Sequence, residues 1–195
     1  MAKDMTGQKI VTPDAEGLLA SVNAAKTRGL PPVHLWNPPF CGDLDMRIAR
    51  DGTWFYQGTP IGRPGLVKLF SSILKLENDK FFLVTPVEKV GIIVDDAPFV
   101  AIDFDAKGQG ETQNLIFQTH VEDRVTASPD HPIRVERDPE TGEPSPYVHV
   151  RAGLEALIDR KSFYRLVELG VHHEGWFGVW SGGVFFEIIP SDELD

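Results

Sequence analysis

Apolar residues along this chain recur first at helical spacing and then at strand spacing, and the two alternate to the end. In "TPDAEGLLASVNAAKTRG", Leu18, Leu19, Val22 and Ala25 fall on one helical face. Thr12 stands where an N-cap belongs, Pro13 suits the first helical residue, and Gly29 suits the residue past the end. "LPPVHLWNPPFCGD" carries four prolines, which cannot donate to a sheet ladder, so an extended or looping stretch is expected. In "MRIARDGTWFYQG", Met46 and Ile48 alternate with Arg47 and Ala49, and Trp54 and Tyr56 with Thr53 and Phe55. This predicts a hairpin turning on the two residues Asp51-Gly52. Helical spacing returns in "RPGLVKLFSSILKLEN", with Pro64 at the first position and Leu66, Leu69, Phe70, Ile73 and Leu74 along one side.

Then the period shortens. "FFLVT", "VGIIV", "FVAIDF", "NLIFQTH" and "IRVE" are strand-like runs, punctuated by "DDAP", "KGQGET" and "SPDHP". Such spacing predicts a meandering antiparallel sheet. The polar turn "DPETGEPSP" and the strand "YVHVR" lead to "DRKSFYRLVELG", a predicted helix with Asp159 as N-cap and Gly170 past its end. Its Phe163, Leu166 and Val167 are assigned to a core, and Lys161 and Arg165 to water. "GWFGVWSGGVFFEII" closes as a hairpin turning at Ser181-Gly182-Gly183.

Two segments echo one another. With Ile61 set on Ile158, "IGRPGLVKLF" matches "IDRKSFYRLV" at Arg63/Arg160 and Leu69/Leu166, with Lys68 on Arg165. An aromatic strand follows each helix, "KFFLVT" in one case and "GWFGVW" in the other. The spacing predicts a duplicated α+β unit.

Composition adds limits. The chain has 195 residues, 42% hydrophobic and 25% charged, which suits a globular protein of one large or two small domains. A net charge of -10 argues against nucleic-acid polymers and anionic lipid surfaces as partners. The single cysteine, Cys41, permits neither an internal disulfide nor a Cys-rich zinc site. "MAKDMTGQKI" has no apolar signal core, and no apolar run approaches the ~20 residues of a membrane span, so a cytoplasmic protein is expected.

The candidate chemistry centres on arginine. Arg63 and Arg160 each stand at a predicted helix start, where the helix dipole disfavours a cation. An anion shared with the free N–H groups would explain them, and Arg151 at the end of "YVHVR" would join Arg160. Salt bridges to the many carboxylates are the competing explanation. Glu88, with Lys89, Asp95 and Asp96, flanks a strand near the middle of the chain, where two units would meet. Trp36 and Phe40 in "WNPPF" offer a stacking platform, or simply cover the core edge. The six histidines show no metal-binding spacing, and adjacent His172 and His173 would point to opposite faces of a strand. No nucleophile motif is present, so no catalytic residue is assigned. A hydrolase built on His131 or His120 would need a pocket that residue order does not show.

The segments "CGDLDMRIARDGTWFYQGTPIGR", "LVKLFSSIL", "FFLVTPVEKVGIIVDDAPF", "HPIRV" and "SPYVHVRAGLEALIDRKSFYRLVE" resemble a bacterial family called domain of unknown function 1285. The resemblance implies an α+β fold of two related domains from an internal duplication, with mostly antiparallel sheets and a packed helix in each. It further implies a C-terminal part superficially similar to pleckstrin-homology-like folds, and a ligand held between the domains in signalling. With the residue reading it gives domains at 1–86 and 87–195. The expected function is a non-enzymatic protein, without cofactor or metal, binding a nucleotide-like anion between its domains. Arg63, Arg151 and Arg160 would meet the charge, Tyr164 and Trp36 a planar group, and Glu88 a hydroxyl or an arginine. The alternative is a protein–protein adaptor presenting the aromatic hairpin from Trp176 to Phe186.

Overall fold

The computed structural model describes residues 14–24 and 29–194. Helix α1, Ala15–Ala24, is capped by Asp14, whose carboxylate accepts from the Gly17 N–H at 2.6 Å. The expected cap, Thr12 and Pro13, lies outside the described residues. Leu18 and Val22 bury the helix's apolar face.

The first half continues through β1 (Phe40–Ile48), β2 (Trp54–Tyr56), β3 (Thr59–Pro60), α2 (Pro64–Ser72), β4 (Leu74–Glu77), β5 (Lys80–Val84) and β6 (Lys89–Val94). The six strands form one sheet in the order β3-β2-β1-β6-β5-β4. Leu44, Met46 and Ile48 alternate inward from β1, and Trp54 stacks on Phe70 of α2. Three expectations are corrected. Helix α2 stops at Ser72, and Leu74–Glu77, expected to continue it, pair with β5 as β4. The hairpin turns on three residues, Arg50 to Gly52. Ala49 donates to the Thr53 carbonyl at 2.9 Å across the loop, and Gly52 takes a φ of 85°. "VGIIV", now β6, lies parallel to β1 instead of continuing a meander, so the first sheet runs on past residue 86.

In the second half β7 (Phe99–Lys107), β8 (Asn114–Thr119), β9 (Arg124–Thr126), β10 (Ile133–Arg137), β11 (Pro144–Arg151) and β12 (Leu154–Ile158) form a sheet ordered β10-β11-β12-β7-β8-β9. Its one parallel pair is β12 with β7. Helix α3, Arg160–Glu168, leads to a smaller sheet of β13 (Val171–His173), β14 (Trp176–Ser181) and β15 (Val184–Pro190). Strand β15 runs beside β10. Ser181 at the end of β14 accepts from the Leu115 N–H at 2.9 Å, which ties this sheet to β8 as well.

The order of elements repeats. Three antiparallel strands, a helix and three antiparallel strands make β1–β6 with α2, and again β10–β15 with α3. The first and last strands of each run lie side by side, β1 with β6 and β10 with β15. Matching turns recur: Gln57-Gly58 and Ala152-Gly153 before the helices, Asn78-Asp79 and Glu174-Gly175 after them. In all four both residues have positive φ, the backbone of a tight two-residue hairpin. Among the described residues, strands β7, β8 and β9 have no counterpart in the first half. A pleckstrin-homology-like likeness for the second half draws no support from this order. One continuous apolar core, from Leu18 through Trp54, Phe99 and Phe117 to Ile188, serves both halves.

Candidate functional site

Two junctions between the halves form clefts, and of the six expected site residues Arg151, Arg160 and Tyr164 stand at them. Arg151 ends β11 beside a bulge in its pairing with β12. Its guanidinium donates to the Asp123 carboxylate, to the Ser71 carbonyl of α2 at 3.0 Å, and lies 4.8 Å from the Phe99 ring centre. All three partners are intramolecular, so Arg151 works as a clamp between halves. Above it lies a cleft of about 500 Å³, lined by Val22, Leu30 and Leu69 from the first half and Val121 and Asp123 from the second.

A second cleft, of about 440 Å³, opens where the β1–β2 loop meets α3. Arg50 enters it from the first half. Arg160, Phe163 and Tyr164 enter from α3, and Pro144 and Pro146 from β11. Arg160 donates to the Glu143 carboxylate at 2.8 Å and Arg50 to the Ser145 hydroxyl at 2.8 Å. The Arg50 Nε also faces an Asp96 carboxylate oxygen at 3.3 Å, an ion pair without hydrogen-bond alignment. The other oxygen of Asp96 accepts from the Tyr147 hydroxyl at 2.8 Å. Burial first, and then this bond to a carboxylate, push the Tyr147 hydroxyl up to about 12.

The two helix starts differ from what their arginines predict. Asp159 already caps α3, accepting from the Ser162 N–H at 2.7 Å, so the helix end needs no external anion and Arg160 projects away from it. Arg63 is itself the N-cap of α2 and lends no side-chain bond to it. It is exposed and lines neither cleft. Arg50, beside the hairpin turn and not among the expected site residues, takes the place expected of Arg63. Its position two residues before the turn glycine was the available signal. Glu88 accepts from Ser21 of α1 at 3.4 Å, within the first half. Trp36 packs against the core, and its carbonyl accepts from Lys75 at 3.3 Å. Tyr164 is 61% exposed at the rim of the second cleft. Arg165, assigned to water, is exposed, and there it pairs with Asp103, donates to the Phe104 carbonyl at 3.0 Å and lies over the Phe104 ring.

The histidines do not converge on either cleft. His120 is sunk between the loop at Gly52 and Val100, whose N–H donates to its Nδ1 at 3.1 Å; burial lowers its pKa. His131 stacks on His149 and bonds its carbonyl. Among the described residues no cluster of three or more His, Cys, Asp or Glu is placed to hold a metal ion. No helix of the described residues is long and apolar enough to cross a membrane.

Comparison with known proteins agrees with this two-part architecture. A DUF1285 family protein from Silicibacter pomeroyi DSS-3 is 68% identical, with a TM-score of 0.86 over 91% of this chain and 97% of that one. A second DUF1285 family protein, from Shewanella baltica OS155, is 29% identical, with a TM-score of 0.52 over 64% of this chain and 91% of that one. No curated protein matches. Residues 31–97 match the N-terminal domain of unknown function of DUF1285 and residues 98–188 match its C-terminal domain, so the chain belongs to the DUF1285 family.

Proposed function

We propose that this protein binds a small anionic molecule of nucleotide-like build in the cleft between Arg50 and Arg160. The observation that carries the reading is the convergence of two arginines, one from each half, on a single concave site walled by Pro144, Pro146, Phe163 and Tyr164. Arginine reads phosphate or carboxylate through its planar fork, and an aromatic rim accepts a flat group. Glu143 now holds Arg160, and an incoming anion would take its place. Clefts at domain interfaces are the common location of small-molecule sites. Ligand binding that spans both halves also suits a receptor role in bacterial signal transduction, which rests on the family resemblance alone. A nucleotide-like ligand in turn implies a cytoplasmic protein.

Titration calorimetry with mononucleotides and cyclic dinucleotides tests this. A charge-assisted hydrogen bond contributes ~1.5–3 kcal/mol, so Arg160→Ala or Arg50→Ala lowers affinity by roughly tenfold or more. No binding at millimolar ligand, or binding untouched by both substitutions, would overturn it.

A further inference from the structure

A third cavity, of about 270 Å³, adjoins the arginine cleft, and its walls are of a different kind. Phe163 and Pro144 border both. Beyond them lie Val167 of α3, Phe177 of β14, Ile188 and Ile189 of β15, and Leu194. The Arg137–Glu193 ion pair stands at its margin, with both side chains spent on each other. The slot therefore offers apolar surface, while the cleft next to it offers two guanidinium groups. Val167 lies seven residues along α3 from Arg160, a rise of about 10 Å.

From this continuity we infer that the site takes a soluble amphiphile: a single phosphate or carboxylate head between Arg50 and Arg160, and an unbranched apolar tail that passes Phe163 into the slot. The inference rests on the anion-binding part of the proposed function and sets an alkyl tail in place of its flat group. Charge complementarity selects the head. The apolar walls select the tail, because an alkyl chain removed from water there loses no hydrogen bond. A membrane surface is a poor occupant for a chain of net charge -10, so the amphiphile is bound as a monomer.

Calorimetry with ethyl, butyl, hexyl, octyl and decyl phosphate, each below its micelle concentration, provides the test. Affinity stays level for tails too short to pass Phe163. It then rises about fourfold per buried methylene and levels off when the slot is full. Val167→Trp fills the slot, so it removes the dependence on chain length and leaves ethyl phosphate binding unchanged. Should that variant fail to fold, Leu194→Glu at the exposed margin does the same work by setting a carboxylate against the tail. A flat series in which Arg160→Ala still weakens ethyl phosphate overturns the tail and leaves the anion reading standing. A tail effect indifferent to Arg160→Ala overturns the head. Absence of binding by every alkyl phosphate overturns the amphiphile, whatever the nucleotides do, and binding seen only with micelles or vesicles means surface adsorption and overturns it too.

Discussion

Gly178 and Gly91 look alike in the sequence, but their surroundings differ. A Cβ at Gly178 would press well inside van der Waals contact of the Phe186 carbonyl oxygen, part of the strand paired with it. A Cβ at Gly91 would meet only the carboxylate tip of Asp43, which can swing away. Gly178→Ala is therefore expected to cost about 1–3 kcal/mol, as overpacking does, and Gly91→Ala distinctly less; urea unfolding of both variants checks the difference. Tyr147 supplies a pH dependence. Its hydroxyl titrates near 12 in the fold and near 10 in an unfolded chain, so the folded form keeps the proton longer. Its contribution is complete below about pH 10 and is lost as pH rises toward 12. Tyr147→Phe leaves Asp96 without its hydroxyl donor, costs about 1–3 kcal/mol at neutral pH, and flattens the alkaline decline. Equilibrium unfolding between pH 8 and 12 shows both effects.

The two equivalent helices are finished differently. Asp159 caps α3, and Asp159→Ala is expected to cost ~1 kcal/mol by thermal unfolding. Arg63 occupies the same position before α2 with extended backbone and no capping bond, so Arg63→Asp is expected to stabilise by about 0.5–1 kcal/mol. Since Arg63 lies outside the clefts, that gain is expected to leave binding of the proposed anion unchanged. Helix α3, the body of α2, the Trp54 strand and the Gly182-Gly183 hairpin were legible in the sequence, because caps, periods and paired glycines act locally, although the helical spacing at Leu74 gives way to β4. The partner of β6 was not. Its apolar run fits either sheet, and the parallel pairing with β1 is fixed by a contact more than forty residues distant. The candidate site divides the same way. Arg160 and Tyr164 were found on α3, whereas Arg50 reaches them only because the two halves dock.

At the scale of the molecule, docking depends on the shared core and on Arg151. The guanidinium is 21% exposed and its partner carboxylate on Asp123 22%, so removing it strands a largely desolvated charge. Arg151→Ala is expected to destabilise by about 2–4 kcal/mol, toward the lower end of what a broken buried pair costs. Because one apolar core spans both halves, the parent protein should melt in a single calorimetric transition. A separation of that transition into two in Arg151→Ala would show that the clamp, more than the core, couples the halves. The parallel closure of β1 on β6 has a further consequence. A closing strand antiparallel to the first would return the chain to its starting side. A parallel one delivers it a full strand length away, at the far end of the unit. Residues 95–132, with β7 to β9 among them, then carry the chain from the end of β6 to the start of β10, where the second unit begins. A unit that enters at one end and leaves at the other can be repeated along a chain with other strands set between the copies, much as railway wagons couple without turning round.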